Sequence, residues 1–276
     1  MDDFASLKLP AFLSRNIDLM RYRKPTPIQK HAVPLALAGS DLMCCAQTGS
    51  GKTAAFLVPI CAALHADGAT KSTVGTGGAA KPRAVVMAPT RELAMQIELE
   101  AEKLTNRSNL RAVVVYGGAD QKAQVRALCL GVDVVVATPG RLNDFVERGI
   151  VDLSTAAFLV LDEADRMLDM GFEPQIRRAR AATTRHRAIP RRFALPALPR
   201  ATPLRNLTHT RTQSRRRGAC YASYQRPSDA ALLCDLPGIH SNARQGVFAR
   251  LLLDWSGARW IDHNEHRAAH SACDGG

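Results

Sequence analysis

The residues most able to do chemistry form one short run, Ala46-Gln47-Thr48-Gly49-Ser50-Gly51-Lys52-Thr53. An apolar stretch, Asp41–Ala46, leads into it, and a helix-like stretch, Thr53–Leu64, leads out. That is the setting of a phosphate-binding loop. Glycines let successive backbone N–H groups turn inward, and a helix N-terminus aims its dipole at the anion. Lys52 then reaches the outer phosphates of a nucleotide as a point charge, and Thr53 sets its hydroxyl on Mg²⁺. Ala46 stands where the common pattern has glycine, which is tolerated if that position needs no positive φ. The competing reading is a glycine-rich strand-to-helix turn that binds nothing.

A second candidate lies about 110 residues downstream. Phe158-Leu159-Val160-Leu161-Asp162-Glu163 is an apolar strand ending in two carboxylates. Ligands sit at the carboxyl ends of strands in parallel sheets. Asp162 is then placed to hold Mg²⁺, through water, and Glu163 to orient or activate an attacking water. The bland alternative is an acidic cap on the next helix. Beside the phosphate loop, Lys52, Asp162 and Glu163 become the candidate catalytic set.

Such a site needs a scaffold, and the first 175 residues supply one. Short apolar runs occur at Asp41–Ala46, Ala84–Ala88, Ala112–Tyr116, Asp133–Ala137 and Phe158–Leu161. Helix-like stretches alternate with them, roughly Thr53–Leu64, Glu92–Leu104, Ala119–Leu130 and Arg141–Glu147. Continuously apolar strands alternating with helices predict parallel strands buried on both faces, an α/β doubly wound sheet flanked by helices. The Gly/Ala/Thr-rich stretch Ala66–Pro82 is expected to be a surface loop without chemistry.

The charge is unevenly spread. The chain has 276 residues and a net charge of +12. Residues 1–175 hold 19 Lys+Arg against 19 Asp+Glu, whereas residues 176–276 hold 18 Arg, no Lys and 6 Asp+Glu. The basic character therefore belongs to the last hundred residues, where Pro190, Pro196, Pro199 and Pro203 interrupt any periodicity. We expect residues 178–276 to be a disordered, low-complexity, Arg-rich tail, either aberrant or a basic nucleic-acid-binding arm. The spacing His263, His266, His270, Cys273 offers zinc ligands, but no apolar framework surrounds it and a His-rich biased tail explains it as well. No run of 18 apolar residues occurs, so no membrane span is expected, and the N-terminus does not read as a signal peptide. Seven cysteines without tight spacing suggest reduced thiols.

Asp162-Glu163-Ala164-Asp165 spells the sequence DEAD, and the chain resembles the DEAD-box RNA helicases. Further motifs of that family follow in order: Pro25-Thr26-Pro27-Ile28-Gln29 with Phe4 upstream, Ala46–Thr53, Pro89–Ala94, Gly117-Gly118 and Thr138-Pro139-Gly140-Arg141. Met167–Arg177 continues as in the Vasa-like subgroup. The resemblance runs from about Asp3 to Arg177 and implies a RecA-like ATP-binding domain over residues 1–177. It also implies ATP with Mg²⁺ as ligands and single-stranded RNA as partner, held by sequence-independent backbone contacts. Together with the reduced thiols, the resemblance implies a cytoplasmic or nuclear setting.

The resemblance carries roles onto particular residues. Gln29 offers the amide donor and acceptor that reading an adenine edge requires. Tyr22 resembles the aromatic that stacks on the base, although a tyrosine at such a position is otherwise read as a half-buried core residue. Thr90, Arg91, Gly118, Thr138 and Arg141 match positions that grip RNA phosphates and sugars, whereas arginines in general are more often solvated or ion-paired. The family's Ser-Ala-Thr motif is not found, and the corresponding region reads Arg191–Pro196. Nor does the tail resemble the family's second RecA-like domain. Two readings follow: the ATP- and RNA-binding first domain of an ATP-dependent RNA helicase, or a nucleotide- and RNA-binding fragment without productive unwinding.

Overall fold

The computed structural model describes residues 1, 3–68, 78–183, 219–224 and 259–262. Two helices open the chain, α1 (Ala11–Leu19) and α2 (Pro27–Leu37), then β1 (Leu42–Cys45) and α3 (Lys52–Ala66). Next come β2 (Ala84–Met87), α4 (Arg91–Thr105), β3 (Ala112–Val115), α5 (Gln121–Cys129), β4 (Val134–Ala137) and α6 (Pro139–Glu147). β5 (Phe158–Leu161), α7 (Ala164–Asp169) and α8 (Glu173–Thr183) follow, and β6 (Ala219–Tyr224) and β7 (Arg259–Asp262) come from the C-terminal stretch.

The strands form one sheet in the order β3-β4-β2-β5-β6-β1-β7. All described pairings among β2, β3, β4 and β5 are parallel, as is that of β1 with β7. β6 lies between β5 and β1 and is antiparallel to both. Valine-rich runs such as AVVV and VVVA favour strands, and burial on both faces explains why they do not alternate with polar residues. The two faces carry separate cores. Ala84, Val86, Phe158 and Val160 face the layer of α1 to α4, while Val85, Met87, Leu159 and Leu161 face the layer that includes α6 and α8. The five expected strands and four expected helices are all present, with ends shifted by a residue or two. Helices α1, α2 and α8 lie outside that expectation, and α7 is the helix that follows the acidic pair.

The sheet's outer strand β3 is guarded by side chains. Glu98 of α4 accepts from the Val114 N–H at 2.9 Å, and Gln124 of α5 bonds both backbone groups of Tyr116 at 3.0 Å. An edge whose donors are already used does not recruit another strand. At the opposite, amino end of the strands, Arg83 donates from Nε and Nη2 to Asp133 at 3.0 and 2.7 Å, and from Nη1 to the Leu64 carbonyl at 2.9 Å. The second Asp133 oxygen accepts from the Arg111 N–H at 2.9 Å. This ties α3, β2, β3 and β4 together away from the site.

α8 runs on to Thr183, past the boundary expected at 177, because Ile176, Ala179 and Thr183 continue a buried stripe while Arg178 stays in solvent. Within the loop expected at Ala66–Pro82, Ala80 bridges to Val151, and residues 69–77 lie outside the described ones. Apart from α8 and the two strands, the expected tail lies outside the described residues, as do the four candidate zinc ligands. Among the described residues no helix is long and apolar enough to cross a membrane.

Candidate functional site

Parallel strands end at a common edge, and every candidate of the first domain except Tyr22 and Gln29 follows such an end. β1 leads into Ala46–Thr53, β2 into Thr90 and Arg91, β3 into Gly118, β4 into Thr138 and Arg141, and β5 into Asp162 and Glu163. Backbone bonds hold these exits in line. Asp162 N–H donates to the Met87 carbonyl at 2.9 Å, Ala88 N–H to Ala137 at 2.9 Å, and Thr138 N–H to Val115 at 3.0 Å.

The loop has the conformation its glycines permit. Gly49 and Gly51 have φ of 78° and 88°, in the region L-residues avoid, and Gly51 is the N-cap of α3. Ala46 is buried and does not have positive φ, so its departure from glycine costs nothing. Gln47, Thr48 and Gly49 are exposed, and the Ser50 hydroxyl is buried without a hydrogen-bond partner. Lys52 is buried, with Nζ donating to the Ala46 carbonyl at 2.8 Å, so its ammonium is folded across the loop mouth. Thr53, half-buried in the first turn of α3, follows it. Burial pushes the Cys44 thiol well up, and the neighbouring Cys45 adds to this while Lys52 opposes it. The thiol beside the loop is therefore a core group and not a nucleophile.

Asp162 is buried at the end of β5. Glu163 has φ 50° and ψ 49°, a left-handed conformation costing a non-glycine residue about 1–2 kcal/mol. Glu163 occupies the N-cap of α7 but makes no capping bond; its carboxylate meets Arg166 at 3.3 Å instead. The helix-cap explanation for Glu163 thus lacks its hydrogen bond.

Gln29 reaches the loop directly. Its Nε2 donates to the Gly51 carbonyl at 3.0 Å, and its Oε1 accepts from the Thr26 N–H at 2.9 Å. A Cβ at Gly51 would lie 2.5 Å from that Nε2, so only glycine admits this approach. One amide hydrogen and one oxygen lone pair remain on Gln29 for a base. Tyr22 is half-buried, and its hydroxyl donates to Glu100 of α4.

Arg91 is exposed at the first position of α4 and lies over the backbone of Gly118, where an added Cβ would sit 2.7 Å from its Nη1. Gly118 has φ 79°. Thr90 caps α4, its hydroxyl accepting from the Leu93 N–H at 3.3 Å. Thr138 holds the N-cap of α6 without a side-chain bond. Arg141 is more enclosed than a solvated arginine: it stands over Phe145 at 5.3 Å, its Nε is 4.0 Å from Asp144, and its Nη1 is buried without a partner.

These features suit a polyphosphate with Mg²⁺. An unpartnered buried Ser50 hydroxyl, inward-turned glycines, the Lys52 ammonium, the Thr53 hydroxyl and the Asp162 carboxylate form the right donor set. Among the described residues no cluster of three His, Cys, Asp or Glu side chains forms a closed metal cage. Mg²⁺ in nucleotide sites needs none, because the phosphates supply ligands. Residues 26–198 match the DEAD/DEAH box helicase family. The chain belongs to that family. A rice protein (Oryza sativa subsp. japonica), DEAD-box ATP-dependent RNA helicase 52A, is 53% identical over 182 residues, covering 64% of this chain and 30% of that protein. The RNA-helicase Prp28 from Chaetomium thermophilum, bound to ADP, is 40% identical with a TM-score of 0.57, covering 64% of this chain and 42% of that one. A DEAD box protein from the hyperthermophile Methanococcus jannaschii is 34% identical with a TM-score of 0.56, covering 66% of this chain and 47% of that one. The family chain thus spans about 30% of the length of the rice relative and under half of these two structures.

Proposed function

We propose that this chain binds Mg–ATP in the loop after β1 and grips single-stranded RNA along the neighbouring strand ends, as the ATP-binding domain of an ATP-dependent RNA helicase. The observation that carries this is the common edge. Five strand ends deliver a phosphate loop, a carboxylate pair and an exposed arginine, and Gln29 joins them by its bond to Gly51. Lys52 and Thr53 hold the phosphate side, Asp162 holds the metal, and Glu163 orients water. When bound, Mg²⁺ neutralises phosphate charge. Gln29 and Tyr22 take the base. Thr90, Arg91, Gly118, Thr138 and Arg141 take RNA phosphates and sugars, which holds a strand without reading its sequence. The Met167–Arg177 phrasing supports placement in the Vasa-like subgroup.

For the 276-residue chain taken by itself, we expect binding without duplex separation. In phosphoryl transfer an arginine finger contributes on the order of 10³–10⁵ in rate. In this family that finger comes from a second RecA-like domain. Lys52 and Mg²⁺ cover one side of the γ-phosphate only. A strand-displacement assay on a short duplex, beside an RNA-stimulated ATPase assay, tests this. ATP-dependent displacement that disappears in Glu163→Gln overturns it; RNA binding without displacement is the expected result.

A further inference from the structure

α1 and the segment after it are fastened to the far half of α4 at two points. Asn16, buried on α1, donates to the carbonyls of Leu104 and Asn106 at 2.8 Å each. Six residues on, the Tyr22 hydroxyl donates to Glu100. Arg21 precedes it with φ 59°, so the chain takes a left-handed turn immediately before the aromatic ring. Glu100 is mostly enclosed and is held by Lys103, one turn further along α4, at 3.7 Å. Burial and the Glu100 contact together push the Tyr22 phenol far up, so it keeps its proton and always donates.

The surroundings do not lock the ring by packing alone. Tyr22 is half-buried, and a cleft of about 450 Å³ opens beside it, bordered by Leu19, Met20 and Lys103. A side chain with one wall missing forfeits contacts on that side and gains rotational freedom. A hydrogen bond to a charged acceptor is the strong kind and restricts direction as well as position.

We propose that the Tyr22 hydroxyl and Glu100 are positioning groups that hold the aromatic ring as a ready platform for the nucleotide base. This rests on the reading that Tyr22 takes the base. Without the hydroxyl the ring remains, but binding must first gather it from the conformations the cleft allows. The base-dependent part of affinity then falls, and the phosphate-dependent part does not.

The experiment is calorimetry of the full 276-residue chain with Mg–ATP and, separately, with Mg–tripolyphosphate, which has no base. Wild type is compared with Tyr22→Phe, Glu100→Ala and Glu100→Gln. Tyr22→Phe and Glu100→Ala are expected to weaken ATP binding several-fold, up to roughly tenfold, the cost of ordering one freed side chain on binding. Glu100→Gln keeps an acceptor and should stay within about threefold of wild type, because a neutral bond retains part of that strength. Tripolyphosphate binding should be unchanged in all three. Wild-type ATP affinity in Tyr22→Phe overturns the proposal, and so does an equal loss for tripolyphosphate, which would mean damage to the loop or fold. If Tyr22→Ala also leaves ATP affinity unchanged, Tyr22 is no platform and the underlying reading fails along with the proposal.

Discussion

Replacing Gly118 with alanine should weaken RNA binding without touching a group that itself meets RNA by charge. Two costs follow from the geometry. The residue has φ 79°, where an L-side chain loses about 1–2 kcal/mol. The new Cβ would lie 2.7 Å from Nη1 and 3.0 Å from Cζ of Arg91, closer than such atoms approach. Arg91 is exposed and has room to move away, so the clash resolves by displacing the guanidinium from the edge of the sheet. The loss is then one phosphate contact. On single strands each contact contributes about 0.7 to the slope of log affinity against log salt. A charged hydrogen bond is worth about 1.5–3 kcal/mol, so affinity should fall at least roughly tenfold at low salt. Fluorescence anisotropy with a short labelled RNA at several salt concentrations reads both quantities. Gly118→Ala and Arg91→Ala should show similar affinity loss and a slope shallower by about 0.7. If Gly118→Ala keeps the wild-type affinity and slope while Arg91→Ala loses both, the contact between them does not position the arginine.

Two further predictions concern the scaffold. Asp133→Ala strands the Arg83 guanidinium, only 14% exposed, without its carboxylate and should cost about 3–5 kcal/mol in urea denaturation; a loss under about 1 kcal/mol would show that the bridge is not structural. Burial holds the Glu98 carboxyl above its ordinary range, Glu102 adds to this, and the Val114 N–H opposes it. A carboxyl raised in the fold stabilises it when protonated, so that contribution is present below the ordinary carboxylate pKa and is lost as pH rises through the raised value. Glu98→Gln keeps an acceptor for Val114, so it should not be less stable at pH 7, and its stability should fall less than wild type between pH 5 and 7; a midpoint clearly below wild type at pH 7 would contradict this.

The parts of this molecule visible in its sequence are those written in local patterns. Valine-rich runs announce β2, β3 and β4, and the glycines and lysine of the phosphate loop need only a strand before them and a helix behind. α1 and α2 precede the first apolar strand run, where no strand–helix alternation flags them, and Pro34 inside α2 argues against a helix on local grounds. α2 forms because Pro27 sits at its first turn and its Ile28, Ala32 and Val33 are buried against the core. Pairs distant in the chain leave no local signal. Tyr22 and Glu100 are 78 residues apart, and Arg83 and Asp133 are 50 apart. Only the assembled sheet and its helices bring them together. Arg141 carries the opposite lesson: its motif pointed to RNA, while its immediate surroundings also include the ring of its own helix.

The central claim is that the loop after β1 holds the phosphates of Mg–ATP and that Lys52 supplies the charge. Lys52 already bonds the Ala46 carbonyl at 2.8 Å, so its ammonium sits at the loop mouth and removing it should leave the surrounding core intact. Titration calorimetry of Mg–ATP into wild type and Lys52→Ala, with thermal unfolding of both measured in parallel, tests the claim most directly. The account predicts ATP binding by wild type, a loss of roughly ten- to a hundredfold in Lys52→Ala from one charged contact, and nearly equal unfolding midpoints. Equal ATP affinity in the two proteins would contradict it.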